Sequence, residues 1–244
     1  MIKTMPCVRI KLTDSKPTIF DSKIGGLGYI SPDKDFPCDS EGNQLRLLAQ
    51  IDCSQVDLLL AQLECSKADF ENFPKSGLLQ FWILKDNVSG CNFDNGTKQD
   101  GFRIIYYSES EIDRKITEQE IMSKFVKNAY DDDNMHPVKK EYSICFMSGN
   151  SVNFGELNEE EYEEVLQELE DVHHQIGGYP YFTQWDPREE NSKYNFLLFQ
   201  LDSEYAKGTD WKVIWGDTGI CNFFICSENL KKLDFSDVWY NCSF

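Results

Sequence analysis

Alternation opens the chain: Val8, Ile10 and Leu12 interleave with Arg9 and Lys11, the two-residue period of a strand over Cys7 to Leu12. The same period, or a short apolar run rich in aromatic and β-branched residues, predicts strands at 45–52, 78–84, 102–107, 142–147, 196–201, 212–215 and 220–226, with 237–244 closing the chain. Helical spacing appears three times. Ser54 as N-cap opens a helix to about Phe70, with Val56, Leu59, Leu60 and Leu63 as its stripe and Phe73-Pro74 beyond its end. Thr117-x-x-Glu120 reads as a capping box for a helix to about Tyr130, with Ile121, Met122 and Phe125 inward. Asn158 caps the third, where Tyr162, Val165, Leu166, Leu169 and Val172 fall on one side and acidic residues fill the rest. Glycine, proline and asparagine mark loops at 23–42, 85–101 and 131–137. Strands separated by helices of unequal length and by hairpin-like returns predict an α+β fold with mixed or antiparallel sheets.

Two distant stretches share an order of motifs. Lys23-Ile24-Gly25-Gly26-Leu27-Gly28-Tyr29, Leu47-Leu48-Ala49-Gln50-Ile51-Asp52 and Gly77-Leu78-Leu79-Gln80-Phe81 form the first set. Gln175-Ile176-Gly177-Gly178-Tyr179-Pro180-Tyr181, Leu197-Leu198-Phe199-Gln200-Leu201-Asp202 and Gly219-Ile220-Cys221-Asn222-Phe223 form the second. The spacing is far too long for a solenoid, so the pattern predicts one domain over 1–244 built from two pseudo-repeated halves. They span about 20–85 and 172–235, with a divergent middle over 86–171. These blocks, with Trp215-Gly216-Asp217-x-Gly219 and the terminal Trp239-Tyr240-Asn241-Cys242, resemble the YwqG-like family, a bacterial domain of unknown function. The resemblance runs from about Gly25 to Cys242. It implies an α+β fold with internal duplication and supplies no catalytic residues. One departure stands out: Gly28 occupies the place where the pattern has proline, whereas the second half keeps Pro180.

Composition narrows the function classes. Hydrophobic residues make up 41% and aromatics 14% of 244 residues, enough for a sizeable core and against disorder. The net charge of −18 disfavours nucleic acid, whose phosphates need clustered Lys and Arg. It suits solubility, cations or a basic protein partner. Nine cysteines, odd in number and without a CxxC, predict free thiols in a reducing compartment. Met1 to Leu12 lacks the pattern of a signal peptide, and no apolar run reaches membrane-spanning length. A cytoplasmic protein away from membranes is expected; oligomeric state is not legible.

Candidate chemistry gathers around the second glycine pair. His173 and His174 precede Gly177 and Gly178, and Gln184, Asp186 and Arg188 follow. Strand alternation puts Gln200 and Asp202 on one face with Leu198, opposite Leu197, Phe199 and Leu201. Gln50 and Asp52 take the same places in the first half, and Gln80 and Asn222 lie on the polar face of the next strand. These residues, with Asp217, define a candidate ligand cleft; the histidines and carboxylates suggest a metal-dependent or acid–base site as the alternative reading. Against both stands a structural role, in which buried amides satisfy the backbone of the glycine turns. Either histidine also fits a helix C-terminus. No phosphate loop, nucleophile elbow or cofactor fingerprint occurs, so no cofactor is expected and no residue is singled out as catalytic. Asp131-Asp132-Asp133-Asn134 lacks the glycine and closing glutamate of a calcium loop.

No Lys or Arg occurs from Glu141 to Pro187. The acidic helix inside this span exposes Glu160, Glu163 and Glu164. They mark either a solvated face or a docking surface for a basic protein, and the second is the leading functional reading: a non-catalytic binding module.

Overall fold

The strands expected from the two-residue period all form. The computed structural model describes residues 2–61, 70–127, 135–168, 172–206 and 210–244. In chain order its strands are β1 (Thr4–Thr13), β2 (Lys23–Ile24), β3 (Arg46–Asp52), β4 (Leu78–Ile83), β5 (Phe102–Tyr107), β6 (Tyr142–Val152), β7 (Gln175–Ile176), β8 (Phe196–Asp202), β9 (Glu204–Tyr205), β10 (Trp211–Val213), β11 (Ile220–Ile225) and β12 (Val238–Ser243). The helices are α1 (Cys53–Ala61), α2 (Glu118–Met122), α3 (Glu159–Glu168) and α4 (Ser227–Lys231).

The expected α+β class is corrected. Ten strands join one antiparallel sheet in the order β12-β11-β8-β7-β1-β6-β2-β3-β4-β5. Among the described residues strand far outweighs helix, so the fold is β-rich, with a nearly closed, barrel-like sheet. The physical reason lies in β2 and β7. Each has two residues, too few to show a period, yet they join the outer strands to the long central pair β1–β6. Helical spacing meanwhile overstates the helices. α2 ends at Met122, with Ile121 buried but Met122 and Phe125 exposed. In α1 the cap is Asp52, whose carboxylate accepts from Ser54 N at 3.0 Å, rather than Ser54. Capping by Asn158, which accepts from Glu161 N at 3.0 Å, is as expected, although Tyr162 is exposed and only Val165 of the described stripe is buried. Leu63, Leu169, Tyr130 and the 131–134 acidic run lie outside the described residues, as does the side chain of Leu166.

The strand order reads the same outward from the centre. One wing is β2-β3-β4-β5; the other is β7-β8-β11-β12. Registers correspond: Lys23 pairs with Gln50 and Gln175 with Gln200, then Gln50 with Gln80 and Gln200 with Asn222. Each wing also bulges at one residue, Leu48 in β3 and Leu198 in β8. A bulge adds a residue and breaks strict alternation. This corrects the expected faces: Leu48 and Ala49, like Leu198 and Phe199, all turn to the inner core, while Leu47 and Leu197 face outward.

The sheet curls until its ends meet. Phe81 stacks on Phe199 with ring centroids 4.6 Å apart, and Phe223 stacks on Tyr240 at 4.4 Å. At the seam Phe102 of β5 lies 5.2 Å from Tyr240 of β12. The 84–101 connection fills this gap, where Gly96 O accepts from Tyr240 N at 2.8 Å and Ser89 O from the Tyr240 hydroxyl at 2.9 Å. Outside the barrel the wings are covered unequally. Among the described residues, twelve buried hydrophobic residues form the outer cluster of the first wing, against three on the second, Tyr194, Leu197 and Phe224.

The Phe81–Phe199 stack joins the two wings across the interior, so its loss opens a cavity at the centre. Phe199→Ala is expected to cost about 3–5 kcal/mol in urea unfolding.

Candidate functional site

Two glycine loops cross the outside of the sheet, one per wing, and both need backbone partners. Gly25 and Gly26 hold φ of +69° and +73°, Gly177 and Gly178 +67° and +74°, a left-handed pair open to glycine without strain. At Gly178 a Cβ would also run into Ser151 Oγ. Gln50 clamps the first loop: its Oε1 accepts from Tyr29 N at 2.9 Å, and its Nε2 donates to the carbonyls of Ile19 and Asp21. Gln80 donates to Tyr29 O and to Gln50 Oε1, both at 2.7 Å. The second wing repeats this with Gln200 accepting from Tyr181 N at 2.9 Å, and Asn222 donating to Tyr181 O and Gln200 Oε1. All four amides are fully buried. Their hydrogen-bonding capacity goes to the loops, to one another and to the neighbouring Trp82 and Asn241 side chains, which is the structural role the alternation allowed.

A second clamp grips each loop from the other side, at the residues that head the two repeated blocks. Buried Lys23 donates to Leu27 O at 3.0 Å and pairs with Glu141 at 2.8 Å. Gln175 donates to Tyr179 O at 2.9 Å and accepts from Arg9 at 2.7 Å. Both residues stand two before a glycine pair, the one signal that marked them. The Gly28 departure also has a cause: a Cβ there would lie 3.0 Å from Leu47 and 3.1 Å from Trp82, whose side chains fill the space.

The candidate site residues fall into separate constellations. Asp202 Oδ2 accepts from His173 N at 3.0 Å and from His173 Nδ1 at 3.1 Å. His173 lies flat on Tyr181, with ring centroids 4.2 Å apart. Its Nε2 is buried without a hydrogen-bond partner. His174 Nδ1 accepts from Asp202 N at 2.9 Å, so the proton sits on Nε2, which donates to Glu204 at 3.0 Å. Lys212 donates to the other Glu204 oxygen at 2.6 Å. The two histidines thus point apart, as expected of neighbours. Asp186 and Arg188 form their own pair at 2.7 Å, with the guanidinium 3.9 Å from the Phe224 ring centroid, covering the thinly clad second wing. Gln184 is exposed beside them, and Asp217 lies on the exposed 216–218 turn. Among the described residues, no group of three or more His, Cys, Asp or Glu is placed to hold a metal ion.

What the second loop does border is a groove of about 520 Å³, lined by Phe154, Tyr179, Pro180, Phe182, Trp185, Asp186 and Arg188 among others. Trp185 is 72% exposed. Phe154 links the groove to α3, with ring centroids 5.1 Å from Tyr181 and 6.0 Å from Tyr162. Glu160, Glu163 and Glu164 are exposed on that helix and have no ion-pair partner among the described residues.

A scan of family profiles matches residues 22–243 to a domain of unknown function, DUF1963. The chain belongs to the DUF1963 family. The match takes in both glycine loops, all four amide clamps and the closing strand β12, so these features sit inside the DUF1963 domain rather than beside it. A search of curated proteins finds no match. Among the described residues, no helix of this DUF1963 chain is long and apolar enough to cross a membrane.

Two outcomes follow from this geometry. Gln200→Leu strands the Tyr181 and Asn222 N–H groups and the His173 carbonyl, at about 1–3 kcal/mol each, so urea unfolding is expected to show a loss of at least about 3 kcal/mol. Burial pushes the Glu204 carboxyl up, but hydrogen bonds from His174 and Lys212 and the Lys212 charge outweigh it and hold the group below its ordinary 4.5. A carboxyl depressed in the folded state adds stability above its unfolded value and loses it as pH falls through the folded one. Unfolding free energy measured against pH is therefore expected to drop below pH 4.5, less steeply in Glu204→Gln.

Proposed function

We propose that this protein is a non-catalytic binding module that takes a basic, aromatic-bearing segment of a protein partner. The segment lies along the acidic face of α3 and seats an aromatic side chain in the groove beside the second glycine loop. One observation carries the reading: Phe154 touches both Tyr162 of the acidic helix and Tyr181 of the loop, making one surface of the two. Unpaired carboxylates draw a basic chain at a distance, and exposed aromatics such as Trp185 supply the close contact. The chain's own Lys3 illustrates the fit, with its ammonium 5.7 Å from the Tyr179 ring centroid and 3.4 Å from Glu156. The buried amides support the reading from the other direction, since they are engaged by the loops, by one another and by the Trp82 and Asn241 side chains. A cytoplasmic setting belongs to this proposal, supported by the eight free cysteines among the described residues.

We also infer that the two wings descend from one duplicated half, as the resemblance to the YwqG-like family implies. The matching glycine pairs, bulges and amide clamps support that origin.

Titration with a synthetic peptide of lysines and one phenylalanine, followed by amide chemical shifts, tests the proposed function. Shifts are expected around Phe154, Glu160–Glu164 and Trp185. Reversing Glu160, Glu163 and Glu164 to Lys is expected to remove the salt-sensitive part of binding, and Trp185→Ala to weaken it about tenfold or more. Equal binding by the wild type and the charge-reversed variant at physiological salt contradicts the proposal.

A further inference from the structure

The seam between β5 and β12 carries chemistry that the binding surface does not use. Three cysteines meet there: Cys91 in the 84–101 connection, Cys221 in β11 and Cys242 in β12. Val88 O ties two of them together, accepting from Cys91 N at 3.0 Å and from the Cys242 thiol at 3.6 Å. The Cys91 and Cys242 side chains lie close enough for each to feel the other's charge. Cys221 is the register partner of Cys242 across β11–β12. Access separates them. Cys91 is half-buried, and with Cys242 it lines a surface pocket of about 360 Å³ bordered by Trp239 and Trp185. Cys221 has no exposure and takes no part in that pocket.

We propose that Cys91 and Cys242 are a peroxide-responsive thiol pair whose disulfide fastens the 84–101 connection to the closing strand. The Cys91 thiolate attacks one oxygen of hydrogen peroxide; the O–O bond breaks, giving a Cys91 sulfenic acid and, after protonation, one water. The Cys242 sulfur then attacks the Cys91 sulfur, the S–O bond breaks, and the departing hydroxide takes the Cys242 proton as a second water. Two thiols supply the two electrons that reduce the peroxide. Burial pushes the Cys242 thiol far up, which keeps it protonated and leaves the first step to the more accessible Cys91. The bond would join positions 91 and 242 across a long loop of chain, where a cross-link constrains the unfolded state most.

The test treats the folded full-length chain with a small excess of hydrogen peroxide and follows intact mass, peptide mapping and the urea midpoint. The expected product has lost two hydrogens, yields a Cys91–Cys242 linked peptide and reverts with dithiothreitol. Its midpoint rises relative to the reduced protein. Cys91→Ser, a change at a half-buried position, abolishes both the link and the rise while leaving the reduced fold intact. A Cys221–Cys242 link overturns the proposal, as does over-oxidation of Cys91 without a link. So does modification confined to exposed Cys145.

Discussion

Backbone groups that leave a sheet ladder must find partners elsewhere, and the two glycine loops of this fold meet that demand through buried amides. An unmade hydrogen bond in the interior costs about 1–3 kcal/mol, so a loop laid over a sheet is stable only where the sheet offers donors and acceptors at the right register. Gln50 and Gln80 do this for the loop ending at Tyr29, Gln200 and Asn222 for the loop ending at Tyr181. Because each pair consists of register partners on adjacent strands, the clamp also fixes how β3 meets β4 and β8 meets β11. The bulges at Leu48 and Leu198 then turn an extra apolar residue inward just before each glutamine, so one strand serves both core and loop.

Curvature follows from the same strands. With Phe81, Phe199, Phe223 and Tyr240 all packed inside, the sheet closes on itself and leaves one seam, which the 84–101 connection fills. The wings differ most in what covers them. Trp82, Leu47 and their neighbours pack tightly over the first loop, so that a Cβ at Gly28 would press on both side chains. On the second wing Pro180 and Phe182 border an open groove, Arg188 lies over Phe224, and Trp185 stands out in solvent. The groove and the acidic helix beside it belong to the wing whose outer cover is thinner.

Much of this was legible in the chain. The strands announced themselves through alternation, and the repeated blocks picked out Gln50, Gln80, Gln200 and Asn222. Four things were not legible, for physical reasons. Two-residue strands such as Lys23–Ile24 carry no periodicity, so the merging of both wings into one sheet was hidden and the helices were given too much weight. A bulge shifts the face of every residue before it, which misplaced Leu197. The partition of His173, His174, Asp186 and Asp202 among separate pairs depends on side-chain direction, which spacing does not report. The groove around Trp185 is likewise assembled from segments distant in sequence, and only its carboxylate-rich neighbour helix left a trace in composition.

The clamp itself is open to direct observation by native-state hydrogen exchange at the Tyr29 and Tyr181 amides. Held by buried glutamines, both should exchange as slowly as the core amides of β3 and β8, through global unfolding alone. Rapid exchange at these two amides, with the strands still protected, would mean that the loops open locally and that the buried amides do not hold them.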